Sequence, residues 1–202
     1  MSGTAPVESR ALVTGPDGLA RCAWVGADEE YRRYHDEEWG RPLHGDRALF
    51  EKLCLEGFQA GLSWITILRR RDGFRAAFAG FEPDVLAAWG EAEVAERMAD
   101  SRIIRNRAKI EATLGNARVL LGLQAERGGA ALDELIWSFA PDPGRRPHSF
   151  DELPATTPES TALSAALRRL GFRFVGPTTV YALMQSAGLV DDHIEGCHRV
   201  AG

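Results

Sequence analysis

Cysteine is scarce in this chain: 202 residues hold only Cys22, Cys54 and Cys197. An odd, small number rules out a disulfide framework and favours a reducing compartment, so a cytoplasmic location is expected. No run of roughly 18 apolar residues occurs, so no membrane span is expected. Residues 1–20 lack the apolar stretch of a secretory signal. Their polar, Gly- and Pro-containing composition reads as a disordered extension. Positive charge is not in excess either, with 24 Lys and Arg against 29 Asp and Glu and a net charge of −5. That balance argues mildly against a nonspecific polyanion binder, although local clusters decide more than the total. Convincing strand patterns and internal repeats are missing. So are the metalloprotease pattern His-Glu-x-x-His and the deaminase pair His-x-Glu and Pro-Cys-x-x-Cys.

What remains is mainly helical and, at 45% hydrophobic residues, able to bury a full core. Residues 21–202 read as one helical domain, or two closely joined lobes. Asp46 is a candidate N-cap for a helix through Gln59, and Ser63 for the short run Trp64 to Leu68. Pro83 opens a helix ending at Gly90, and an acidic helix covers Glu91 to Ala99. The longest helix runs from about Asn106 to Glu126, with Ile110, Leu114, Ala117 and Leu121 on one face. Leu132 to Phe139 is a further short helix. Four prolines make 140–157 an irregular loop. Thr157-Pro158 restarts a helix to Leu170, with Gly171 as its stop.

Four residues at the two ends form a matched set of soft-metal ligands: Cys22, His35, His193 and Cys197. His193 and Cys197 are four apart, so a helical turn would project both from one face. Two thiolates and two imidazoles complete a closed tetrahedral zinc site of the structural kind, clasping the two ends together. The alternative is two small hydrophobes and two surface histidines, because compact zinc-finger spacing is absent. His198, next to Cys197, is a weaker competing ligand.

A second concentration of chemistry runs from Trp24 to Trp64. Trp24, Tyr31, Tyr34, Trp39, Phe50, Phe58 and Trp64 surround Glu56, with Gly57 and Gly61 leaving room for close approach to the backbone. Aromatic walls with one carboxylate suit a flat, cationic ring, since the faces stack and the carboxylate orients. The plainer reading is an aromatic core and a solvated glutamate. A third feature is the helix–turn–helix of 167–189, with Gly171-Phe172-Arg173-Phe174-Val175-Gly176 between helices. Such a helix–hairpin–helix lets Gly176 and a helix N-terminus approach a phosphate, with Arg173 adding charge. An ordinary interhelical connection is the alternative. Basic groups at 69–71, 102–109 and 168–173 offer further phosphate contacts or are solvated faces.

These segments together resemble the bacterial 3-methyladenine DNA glycosylase I family. The resemblance rests on Arg21-Cys22-Ala23-Trp24, Tyr34 to Gly40, Glu56 to Trp64, Ile103 to Arg107, Gly171 to Gly176 and Asp192-His193, and spans about 20–198. It implies a helix–hairpin–helix glycosylase fold whose termini are joined by one structural Zn2+ on Cys22, His35, His193 and Cys197. It also implies excision of 3-methyladenine from alkylated double-stranded DNA, leaving an abasic site and free base. Glu56, Tyr34 and Trp64 would then bind the base, with Trp24 and Trp39 shaping the walls. A base must leave the stack to be attacked at its sugar bond, so base flipping is expected. Alkylation at N3 makes the adenine cationic, so it departs without a strong general acid. Water attacks, with no lyase step. Asp191 departs from the family's usual asparagine: it either restores a catalytic carboxylate or caps the turn presenting His193. A monomer is expected. The other classes to separate are a zinc-stapled DNA-binding module and a zinc hydrolase.

Overall fold

The computed structural model describes residues 11–199. Its element order is β1 (Leu12–Thr14), β2 (Ala20–Cys22), α1 (Glu29–Glu37), α2 (Asp46–Gln59), α3 (Trp64–Leu68), α4 (Arg71–Ala77), α5 (Pro83–Ala88), α6 (Glu91–Ala99), α7 (Arg107–Arg127), α8 (Ala131–Trp137), α9 (Pro158–Leu170) and α10 (Pro177–Ser186). Single 3₁₀ turns lie at Ala23–Val25, Ala79–Phe81 and Phe150–Glu152. No helix among the described residues is long and apolar enough to cross a membrane.

Helix α2 is the hub. Leu49, Phe50, Leu53, Cys54, Leu55 and Phe58 are all buried, so apolar side chains face several directions at once. A helix apolar on most sides belongs in the interior. Here α10, α8, α3 and α7 pack around it. Its C-terminal carbonyls are met by Lys109 of α7, whose Nζ donates to Phe58 O at 2.9 Å and Ala60 O at 2.8 Å. Helix α7 buries Ile110, Leu114, Ala117 and Leu120. Leu120 takes the place expected of Leu121, which is only half-buried.

Local caps account for several boundaries. Thr157 accepts from Ser160 N at 3.1 Å while Ser160 Oγ accepts from Thr157 N at 2.9 Å, and Pro158 occupies the first helical position. Gly171, at φ +103°, ends α9 in the left-handed conformation. Asn106 accepts from Lys109 N to start α7.

Asp46 corrects the sequence reading. Gly45 is the N-cap of α2 and Asp46 is its first helical residue. The Asp46 carboxylate is buried and accepts from Leu132 N, Asp133 N and Gln124 Nε2 at 3.1, 2.9 and 2.7 Å. It satisfies free N–H groups of α8, a helix 86 residues further along the chain.

The proposed extension also needs correcting. Residues 1–10 lie outside the described residues, but residues 11–20 are ordered into structure. β1 and β2 pair antiparallel, Leu12 opposite Cys22 and Thr14 opposite Ala20. Ala11 and Leu12 pack against Cys22, Ile194 and Cys197. The ribbon therefore covers the region where Cys22 meets Ile194 and Cys197.

Candidate active site and metal centre

Glu56 sits on the fourth turn of α2, only 3% exposed, facing a cavity of about 210 Å³. Trp24, Tyr31, Tyr34, Trp39 and Trp64 line that cavity with Glu56. Five aromatic residues singled out from sequence thus share one pocket, whereas Phe50 and Phe58 belong to the core. The rings brace one another: Trp24 meets Tyr31 at 4.8 Å and Trp39 at 5.2 Å edge-on, and Tyr34 lies 5.5 Å from Trp64. Gly57 does not open onto the cavity. A Cβ there would lie 3.3 Å from Phe174 Cβ, so this glycine admits the α9–α10 turn.

The cavity also contains groups that sequence reasoning missed. Ser186 of α10 donates to Glu56 Oε1 at 2.9 Å. Gln59, Gln185, Phe150 and Leu153 add to the lining. Asp192 accepts from Gln185 Nε2 at 2.8 Å and from the Tyr181 hydroxyl at 2.6 Å, fixing the Gln185 amide. The indole N–H of Trp64 is buried without a partner among the described residues. Such residues reach the cavity only through tertiary packing, and no local pattern marks them.

Burial dominates the electrostatics. It pushes the Glu56 carboxyl up to about 7, opposed by the charge of Lys52 and the Ser186 hydrogen bond. Tyr34 is raised well above its usual range by burial and then by Glu56. The pocket is a low-dielectric chamber holding one carboxylate that lacks a full set of partners. A cation entering it would supply the missing partner.

On the far side of Trp24 and Trp39, Cys22, His35, His193 and Cys197 converge. One donor atom from each lies within 4.8 Å of the others, and all four residues are buried. Cys197 Sγ is 3.5 Å from His35 Nε2, and His193 Nδ1 is 3.7 Å from both sulfurs. The outward nitrogens are held as well, His35 Nδ1 by Asp36 at 2.7 Å and His193 Nε2 by the Trp39 carbonyl at 3.3 Å. Acceptors on the outer nitrogens turn the inner ones toward a shared centre. Cys22, and then hydrogen bonds from the two imidazoles, hold the Cys197 thiol low, while Cys197 and burial push Cys22 up. His198 faces the Ala20 carbonyl at 3.1 Å and stays outside the cluster.

A family model described as methyladenine glycosylase matches residues 24–200. The chain belongs to the methyladenine glycosylase family. It is 46% identical to DNA-3-methyladenine glycosylase 1 of Escherichia coli over 184 residues, 89% of this chain and 96% of that one. A 3-methyladenine DNA glycosylase I crystal structure superposes with a TM-score of 0.84 at 47% identity, covering 88% of this chain and 98% of the other. A second, from Staphylococcus aureus and concerned with 3-methyladenine recognition, gives 0.83 at 33% identity, covering 88% and 95%.

Within this family member the α9–α10 turn is held rigidly. Asn116 of α7 accepts from Arg173 N at 2.8 Å and donates to Arg173 O at 3.1 Å. Ser164 donates to Val175 O at 2.6 Å, and Phe174 adopts φ +56°. Arg173 is exposed, and Gly176 is the N-cap of α10. Arg69, Arg71, Arg102 and Arg107 are engaged by Asp28, Glu38, Asp100 and Glu91 respectively. Arg168, Arg169 and Arg173 stand exposed beside the turn. Asp191 does not line the cavity: it pairs with Arg146 at 2.7 Å and accepts from His193 N at 3.3 Å.

Proposed function

We propose that this protein is a monofunctional DNA repair glycosylase that hydrolyses the N-glycosidic bond of 3-methyladenine in alkylated duplex DNA. The observation that carries the reading is Glu56, a buried carboxylate inside an aromatic cavity, in a member of this family. A flipped N3-methylated adenine is flat and cationic, so it stacks on Tyr34 and Trp64 and neutralises Glu56. Glu56 accepts from the exocyclic amino group, while Trp24 and Trp39 close the walls. Trp64 Nε1, unpartnered among the described residues, offers a donor to the base. A normal neutral purine brings no charge, leaving Glu56 desolvated and poorly paired, which disfavours it.

Scission needs little proton chemistry. The electron pair of the N9–C1′ bond moves onto the base, which departs neutral, while positive charge develops on the sugar. A water oxygen bonds to C1′ and its proton passes to solvent. No lysine forms an imine, so the strand stays intact. Asp191 has a structural task on this reading, presenting His193 through its N–H.

The α9–α10 unit serves as a helix–hairpin–helix. The free N–H groups of α10 and the Arg173 guanidinium hold a backbone phosphate, and the described residues act as one domain working as a monomer. The four-residue cluster holds one structural zinc. Sulfur and nitrogen ligands on a tetrahedral zinc lie roughly 3.5–3.6 Å apart, close to the spacings above. The ion would neutralise both thiols as thiolates, and four protein ligands leave no position for a catalytic water. The test is abasic-site formation on methylated duplex: intact abasic strands are expected, whereas binding without abasic sites would make this a binding module.

A further inference from the structure

Behind the aromatic wall lies a second, smaller cavity of about 110 Å³. Glu38, Glu51, Lys52, Arg71 and Arg75 are among its lining residues. Two of its cations are committed: Arg71 Nη2 donates to Glu38 at 2.9 Å and Arg75 Nε to Glu51 at 2.7 Å. Lys52 makes a different contact. Its Nζ stands 5.1 Å from the ring centroids of both Tyr34 and Trp64, and 3.4 Å from the Tyr34 hydroxyl. Tyr34 and Trp64 line the base cavity and Lys52 lines the smaller one, so the two rings are a wall with an ammonium at its back. Glu56 follows Lys52 by four residues on α2, which puts the two on neighbouring turns of one helix face.

We propose that Lys52 is a positioning residue of the base pocket: from behind the Tyr34–Trp64 wall, its ammonium keeps the Glu56 carboxylate in the charged form that a cationic purine needs. This rests on the glycosylase reading given above. Glu56 is buried with one hydrogen-bond donor, the neutral Ser186 hydroxyl, so a single hydrogen bond opposes its desolvation. The other groups around it add no free cation. Tyr31 and Tyr34 from α1 are both raised, first by burial and then by Glu56, and stay neutral near pH 7. Glu38, which follows the last residue of α1, is neutralised by Arg71 of α4, and Glu51 of α2 by Arg75 of α4. Lys52 is the charged influence that holds Glu56 down against burial. Burial in turn lowers Lys52, and Glu56, Glu38 and Glu51 counter that.

The ammonium also repels a cationic base, and distance decides which effect wins. A ring stacked about 3.5 Å in front of the wall lies roughly 8–9 Å from Nζ, whereas its contact with Glu56 is about 3 Å. Coulomb energy falls inversely with distance, so the contact outweighs the repulsion by about threefold. The two aromatic faces hold Lys52 at that remove.

The test is an NMR titration of Glu56 in free, folded protein carrying ¹³C-labelled glutamate. The wild-type midpoint is expected near 7, where burial and Lys52 together place it. In Lys52→Met it should rise by about one unit, the shift expected for losing a nearby opposite charge. In Lys52→Arg, which keeps the charge, it should move by no more than a few tenths, and the acid limb of kcat/KM should follow the same pattern. Lys52→Gln supplies the uncharged reading if the methionine variant folds poorly. An unmoved midpoint in the folded uncharged variant, or an equal rise in Lys52→Arg, overturns the proposal. The titration needs no substrate, so failure of the wild type to release methylated base would count against the activity alone.

Discussion

Glu56 works against the stability of its own fold. An unfolded glutamate titrates near 4.3, but burial places the folded one at about 7. Between those values the unfolded chain binds fewer protons than the native one, so stability falls as pH rises and levels off above 7. Glu56→Gln removes the ionisation while keeping an acceptor for Ser186. It should therefore be more stable than wild type at pH 8, by up to about 4 kcal/mol, with the difference vanishing near pH 4. Excision should fall in the same variant by the roughly 1.5–3 kcal/mol typical of charged hydrogen bonds, about 10- to 150-fold. Calorimetry at the two pH values and single-turnover kinetics check this. Lower melting at pH 8 with normal excision would make Glu56 a structural residue. The carboxylate among aromatics was readable because all of these residues fall within one short stretch, Trp24 to Trp64, although they come from different elements. Ser186 and Lys52 were not, since one arrives on α10 and the other acts through a wall of rings.

At the scale of elements, boundaries set by neighbouring residues were readable and those set across space were not. Glu91–Ala99 and Pro158–Leu170 follow from a local cap and a terminal glycine or turn. Asp46 carries the same cap chemistry but spends it on α8, which sequence spacing cannot reveal. Asp46→Ala should cost about 2–4 kcal/mol by urea unfolding, because three donors lose a buried partner together. A loss below about 0.5 kcal/mol would show that water or another group replaces the carboxylate. The β1–β2 ribbon escaped notice because three-residue strands are too short to show alternation. For the α9–α10 turn, Arg173→Ala should weaken binding to all DNA sequences alike and reduce the salt slope by about one unit. Fluorescence anisotropy across a salt series measures it, and an unchanged slope would take the turn out of the interface.

At the scale of the whole molecule, the Cys22, His35, His193 and Cys197 cluster joins the two ends of the chain beside the pocket. Trp39 links the two sites directly, lining the cavity while its carbonyl accepts from His193. Loss of a metal there should loosen the pocket wall without unfolding the core, which is built mainly around α2 and α7. Cys197→Ser should lower bound zinc and melting temperature together, and chelation of wild type should do the same; full zinc content in the variant would remove Cys197 as a ligand. That these four residues belong together was readable from residue type, two thiols and two imidazoles in matched pairs far apart in the chain. The outer contacts from Asp36 and the Trp39 carbonyl needed the fold.

On the proposed reading, Glu56 is what lets this pocket excise a cationic methylated adenine. The most direct measurement is chromatography of the free base released from methylated duplex DNA by wild type and Glu56→Gln at equal concentrations of folded protein. Free 3-methyladenine is expected from the wild type and release at least tenfold slower from the variant, with DNA affinity nearly equal. Equal release by the two proteins, or no free base from either, would contradict it.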